Sequence, residues 1–235
     1  MNQYLSNTGA VDASFSTAAT RKFLLNVYNW MAMGLALTGV IAYAVSNSTF
    51  VEVLYSNPFL LFGIIILQIA IVFGMTFAIN KIPAGVAIGA FFLYAALTGL
   101  TFASVFLVYT TGSIASTFFI CAAMFGSVSV YGYITKSDLS KFGTYFFMGL
   151  IGLIIASVVN IFLGSSTLNW IISIAGVLIF TGLTAYDTQR IKQMSQSADF
   201  ETEQGKKGAV IGALMLYLDF INMFLFLLRL MGERK

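Results

Sequence analysis

Seven apolar runs, each close to the length that crosses a bilayer, constrain this 235-residue chain more than any other feature. A membrane-spanning helix needs roughly 20 mostly apolar residues. The runs fall near 23–45, 58–79, 84–109, 114–134, 143–163, 168–189 and 209–230. In hydrocarbon a segment must satisfy its own backbone N–H and C=O groups, so runs of this length are expected to be helices. The expected architecture is an all-α polytopic membrane protein, with a polar N-terminal segment at 1–20 and one seven-helix transmembrane domain at 21–235. The first apolar run starts late and is long enough to span, unlike a cleavable secretory signal, and is expected to be retained.

Local signals place several boundaries. Asn57-Pro58 and Ile82-Pro83 put proline where a helix start tolerates it, and Gly112-Ser113 and Ser166-Thr167 break the pattern while offering a capping hydroxyl. Small residues at helical spacing, Gly85–Gly89, Ala95–Gly99–Ala103 and Gly208–Gly212, read as surfaces for close helix packing within one bundle. Met31 and Met33 read as core filler rather than a soft-metal site. The stretch Met194–Lys207 reads as a solvated polar loop. Its acidic residues Asp199, Glu201 and Glu203 lack the turn glycine of a calcium-binding helix–loop–helix.

Charge gives direction and excludes chemistry. Only 9% of residues are charged, the net charge is +3, and 59% are hydrophobic, so nucleic-acid binding is not expected and the basic residues read as topology signals. With the N-terminus cytoplasmic, the inner segments hold Arg21, Lys22, Lys81, Lys136, Lys141, Arg190, Lys192, Lys206 and Lys207, and the three outer loops hold no lysine or arginine. Seven crossings then leave Arg229, Arg234 and Lys235 at the outer side, against that rule; a last helix that does not cross is the alternative. With no histidine and one cysteine, Cys121, the chain has no Ser-His or Cys-His catalytic set and no common zinc ligand set. No enzyme activity and no resident cofactor are expected.

Two residues conflict with their surroundings. Asp187 closes the apolar run Trp170–Tyr186, and Asp219 lies inside the apolar run Ala209–Leu228. Carboxylates within membrane spans are costly, usually face the bundle interior, and default to a functional reading. Both are expected in the cytoplasmic half, with Thr184 three residues before Asp187 and Asn222 three after Asp219, forming one polar seam. If the carboxyls meet, low dielectric and like charge disfavour double ionisation, so the pair holds one proton over some range and, once it leaves, attracts a hard cation such as calcium. The plainer alternative is that Asp187 caps its helix end and pairs with Arg190.

Gly-Leu-Thr-Ala-Tyr-Asp187-Thr-Gln and Leu-Tyr-Leu-Asp219-Phe-Ile-Asn222-Met-Phe resemble the paired signature of the Bax inhibitor family. Gly132-Tyr-Ile-Thr-Lys-Ser-Asp138-Leu-Ser and the stretch Gly149–Asn160 are similar to the family's middle region. The resemblance runs from the first helix to the C-terminus. It implies seven helices with the last wrapped by the other six, and a pH-sensitive calcium leak whose sensor is Asp187 with Asp219, both also candidate transient calcium ligands. Some members pair the first aspartate with a basic residue of the second helix. Here the second span carries no charge; Gln68 is its clearest polar candidate, and a hydrogen bond from Gln68 or from water is open as the replacement.

The leading expectation is therefore a calcium leak channel gated by protonation of the aspartate pair, with calcium and protons as its ligands and the bilayer as its surroundings. The alternatives are an interaction protein that modulates a membrane-bound protease or another membrane partner, and a proton-coupled cation transporter. The short tails point to a bacterial inner membrane.

Overall fold

The computed structural model describes residues 2–197 and 201–235, with side chains described for 19–196 and 201–235. Its helices are α1 (Asn2–Ser46), α2 (Phe50–Ser56), α3 (Pro58–Ala78), α4 (Ala84–Val108), α5 (Thr111–Ile134), α6 (Ser140–Leu163), α7 (Ser166–Ser197) and α8 (Glu203–Met231), with a 3₁₀ turn at Ile79–Lys81. Seven of these, all but α2, are long and apolar enough to cross a membrane. This is the all-α polytopic fold the apolar runs predict. The backbone of the polar N-terminal segment continues directly into the first span as part of α1. The side chains of its first 18 residues, and Asp199, lie outside the described residues.

Side-chain caps set the helix starts. Asn57 Oδ1 accepts from Leu60 N at 3.2 Å, with Pro58 as the first residue of α3. Thr110 Oγ1 accepts from Ser113 N at 3.3 Å and Ser165 Oγ from Leu168 N at 3.2 Å. The capping hydroxyls thus sit one to three residues before those the sequence suggested. The expected loop at Met194–Lys207 is mostly helical instead: α7 runs on to Ser197, and Thr202 Oγ1 accepts from Gly205 N at 3.0 Å to start α8. Composition suggested solvent, but a polar helix end that leaves the membrane needs no apolar face. The short α2 was not foreseen. It buries Leu54, and its Tyr55 hydroxyl donates to Thr101 O at 2.9 Å and accepts from Ser104 N at 2.9 Å, tying α2 to α4.

The helix α8 occupies the centre. Of its most apolar stretch 72% is buried, against 11% in α3 and 6% in α6. Helices α1, α4, α5 and α7 pack directly on α8, whereas α3 stacks mainly on α4 and α6 on α7. The expected wrapping is therefore two layers deep. Outward-facing Phe59, Phe162 and Ile161 are 89%, 84% and 78% exposed, a surface that hydrocarbon rather than water would cover. Of the small-residue stripes, Ala95–Gly99–Ala103 makes the close approach, since a Cβ at Gly99 would lie 2.9 Å from Thr38 O of α1. Gly85 and Gly89 face open space. Met31 is buried and Met33 half-exposed, on different sides of α1.

The C-terminal tail settles how α8 runs. Tyr109 and Arg234 form an antiparallel bridge, with Lys235 N donating to Val108 O at 2.9 Å and Thr110 N to Glu233 O at 3.0 Å. The start of α8 is fixed at the other end of the bundle, where Glu203 Oε1 accepts from the first amide of α4, Ala84 N. Both ends of α4 are thus tied to both ends of α8, and the last helix traverses the bundle.

Candidate aspartate site

The site is built where α7 and α8 run side by side. Asp219 lies near the middle of α8 and Asp187 ten residues before the end of α7. The two carboxyls lie close enough to act directly on each other. Ionised carboxylates offer only acceptors, so a hydrogen bond between them requires one proton on the pair. Asp187 is 9% exposed and Asp219 4%. Asp219 Oδ2 is buried without a hydrogen-bond partner among the described residues. Arg190, exposed one turn along α7, acts on Asp187 through its charge but forms no ion pair with it among the described residues. Local pairing of Asp187 with Arg190 is therefore not the arrangement adopted.

The supporting residues divide differently from the expected seam. Thr184 Oγ1 donates to Phe180 O at 2.7 Å, and Asn222 Nδ2 donates to Leu218 O at 2.8 Å, so each bonds its own helix backbone. This back-bonding is the common fate of a hydroxyl or amide inside an apolar helix. Gln68 is elsewhere: its Nε2 donates to Thr98 Oγ1 at 3.0 Å. It belongs to a second buried polar cluster in which the Tyr217 hydroxyl meets Thr38 Oγ1 at 2.6 Å. Tyr217 precedes Asp219 by two residues, about 200° around the helix, so Gln68 does not replace a basic partner at the pair. A half-buried amide in an apolar span takes a hydroxyl within reach, and α4 supplies one.

Contacts that sequence reasoning missed hold α7 at this depth. A Cβ on Gly132 of α5 would sit 2.4 Å from Ala185 O, so α5 and α7 cross at backbone contact two residues before Asp187. Two residues after Asp187, buried Gln189 clamps the turn between α5 and α6: Leu139 N donates to its Oε1 and its Nε2 donates to Ser137 O, both at 2.8 Å. Lys192 Nζ then donates to Tyr133 O at 2.7 Å, closing the C-terminal end of α5. In the same turn Asp138 Oδ1 accepts from Ser140 N at 2.9 Å, which holds this exposed carboxyl below the usual carboxylate range. The only sequence signal for the clamp is a polar residue, Gln189, at a position the helix must bury. Gln189→Ala strands Leu139 N and Ser137 O, and a loss of about 1–3 kcal/mol is expected. Faster hydrogen exchange at Leu139 with a lowered melting temperature is the expected readout; unchanged exchange would contradict the clamp.

The surroundings of the pair are unequal. Toward the end carrying Arg21 and Tyr133, a cavity of about 480 Å³ opens between α1, α5 and α7, reaching Thr188 beside Asp187. Ser129 Oγ, which lines it, is buried without a partner among the described residues. Toward the other end rings narrow the space to a cavity of about 90 Å³: Phe220 packs 5.4 Å from both Phe118 and Phe125, and Phe224 lies 6.4 Å from Phe118 and 6.5 Å from Phe102. Among the described residues, no group of three or more His, Cys, Asp or Glu side chains is placed to hold a metal. Two carboxyls fall short of the six to eight oxygens of a stable calcium site, so the set suits a passing, largely hydrated cation.

Known proteins resemble this chain over nearly its whole length. Residues 20–235 match the family described as inhibitor of apoptosis-promoting Bax1. Inner membrane protein YbhL of Escherichia coli is 49% identical over 220 residues, covering 93% of this chain and 94% of that protein. An uncharacterized protein of Borreliella burgdorferi is 49% identical over 215 residues, covering 91% and 93%. One of Rickettsia prowazekii is 46% identical over 220 residues, covering 92% and 91%. With its seven spans, its buried aspartate pair and a family match over nearly its whole length, this integral membrane protein belongs to the Bax inhibitor family.

Proposed function

We propose that this protein is a calcium-permeable leak channel of a bacterial inner membrane, gated by the proton shared between Asp187 and Asp219, and not an enzyme. The observation that carries this reading is the carboxyl–carboxyl contact in the bundle centre. Holding one shared proton, the pair is a hydrogen-bonded latch between α7 and the central helix. When the proton leaves, two adjacent negative charges repel and attract a hard cation instead. The cavity reaching Thr188 provides an approach for water and ions, and the rings packed edge to face around Phe220 form the barrier of the closed state. The lysine-rich end faces the cytoplasm in this reading, following the distribution of basic residues, and the membrane assignment follows the name of the Escherichia coli relative.

Competition between proton and calcium for the same oxygens has a measurable sign. Binding linkage is reciprocal: calcium expels the proton, so higher calcium moves the pH midpoint of the transition downward. Where one cation displaces one proton, the shift approaches about one pH unit for each tenfold rise in calcium. Purified protein in liposomes loaded with a calcium dye is expected to show a sigmoidal dependence of calcium entry on pH with this shift. Entry that is flat with pH, or a midpoint indifferent to calcium, would overturn the reading.

A further inference from the structure

The aspartate pair leaves the basic C-terminus without a role. Arg229 and Arg234 depart from the distribution of basic residues over the rest of the chain, and the bundle gathers them at one cavity. That cavity, of about 480 Å³, lies between the C-terminal end of α6, the start of α7 and the end of α8, where Asn160, Ser165, Ser166, Asn169, Arg229 and Arg234 supply its polar lining. Among the described residues no acidic side chain lines it. Both guanidinium groups rest on aromatic rings, Arg229 at 5.4 Å from the centre of Phe226 and Arg234 at 5.9 Å from that of Tyr109. Among the described residues neither has a carboxylate partner or a side-chain hydrogen bond.

Position makes these donors more than trailing charge. The bridge between Tyr109 and Arg234 and the bonds on either side of it fix the tail. Asn160 Oδ1 accepts from Ser165 N at 3.1 Å, which orients that amide and leaves its Nδ2 as a donor. The first amides of α7 have no acceptor within the helix. The result is a concave site rich in donors, with two guanidinium groups resting on rings, a group whose fork grips phosphate oxygens two at a time. Its rim carries Ile161, 78% exposed, and the nearby Trp170 is 60% exposed, the residue type that settles at the headgroup level of a bilayer.

We propose that this cavity binds a phosphate group, carried by an anionic phospholipid headgroup or present as free phosphate. The site is separate from the aspartate pair and does not depend on its function.

The test uses the full chain in detergent, with native mass spectrometry and thermal unfolding as readouts. Phosphatidylglycerol is compared with a neutral galactolipid that lacks phosphate, and inorganic phosphate with chloride at equal ionic strength. Wild type is expected to retain phosphatidylglycerol over galactolipid by about tenfold, and Arg229→Gln/Arg234→Gln to lose that preference. A lipid preference without a response to inorganic phosphate identifies a headgroup. A phosphate-specific rise in melting temperature, absent from the double variant, identifies the free ion. Arg234→Gln alone, at an exposed position outside the helix, provides the same comparison if the double variant does not fold. A preference that survives loss of the arginines, or no preference in any arm, overturns the proposal.

Discussion

Asp219→Asn is expected to abolish the pH step in calcium entry while leaving the bundle folded. Asparagine has nearly the same shape and keeps a donor for Asp187, so the latch survives, but the shared proton is gone. A unit charge about 4 Å from a cation is worth about 4 kcal/mol at an effective dielectric of about 20. Even after a large discount for water and rearrangement, entry at high pH is expected to fall at least about tenfold, since about 1.4 kcal/mol is enough for that. The fold responds in the opposite sense. Asp219 Oδ2 is buried with no hydrogen-bond partner among the described residues, so the neutral amide is expected to raise the melting temperature. Asp187→Asn is expected to flatten the pH profile as well, with a smaller gain in stability, because Asp187 is less buried and feels Arg190. Flux against pH in liposomes, beside melting of the same preparations, checks both parts; an Asp219→Asn protein whose step matches wild type would refute the gating role.

Gly132→Ala is expected to be among the most damaging single-methyl changes in the protein. The added carbon would lie 2.4 Å from Ala185 O and 3.0 Å from Ala185 Cα, backbone atoms that no rotamer change can move aside. Overpacking of this kind costs about 1–3 kcal/mol, and here α5 and α7 must separate beside Thr184 and Asp187. A lowered melting temperature and a shifted pH midpoint for calcium entry are expected together. Gly89→Ala is the control: its Cβ meets nothing within 4 Å, so helix propensity alone acts and a gain of about 0.5–1 kcal/mol is expected. Equal melting temperatures for the two variants would show that the crossing is not tight.

Legibility in the sequence followed the range of the interaction. Asn57-Pro58 marks the start of α3 because a cap acts over three residues, and Pro83 marks the start of α4 without a side-chain cap, through its own fixed φ and missing N–H. The stripes of small residues were ambiguous, since spacing identifies a smooth face but not whether a helix lies against it: Gly99 meets α1, whereas Gly89 meets nothing. Thr184, Asn222 and Gln68 were recognisable as polar residues in apolar spans, but their partners were not, because each side chain has several acceptors in reach and packing selects one. Gln189 went unnoticed because its partners, Ser137 and Leu139, are distant in the chain.

The sequence by itself determined that the chain crosses a membrane as seven helices, that ordinary histidine and cysteine chemistry is absent, and that Asp187 and Asp219 are out of place in their surroundings. Those properties depend on composition and on runs of about 20 residues, and hydrocarbon imposes them segment by segment. Only the tertiary structure decided that α8 is central, that the two carboxyls touch, that Gln68 serves a different cluster, and that Arg229 and Arg234 share a cavity. Each depends on which helix faces pack together, and within a bilayer that choice is made by shape and hydrogen-bond satisfaction rather than by hydropathy.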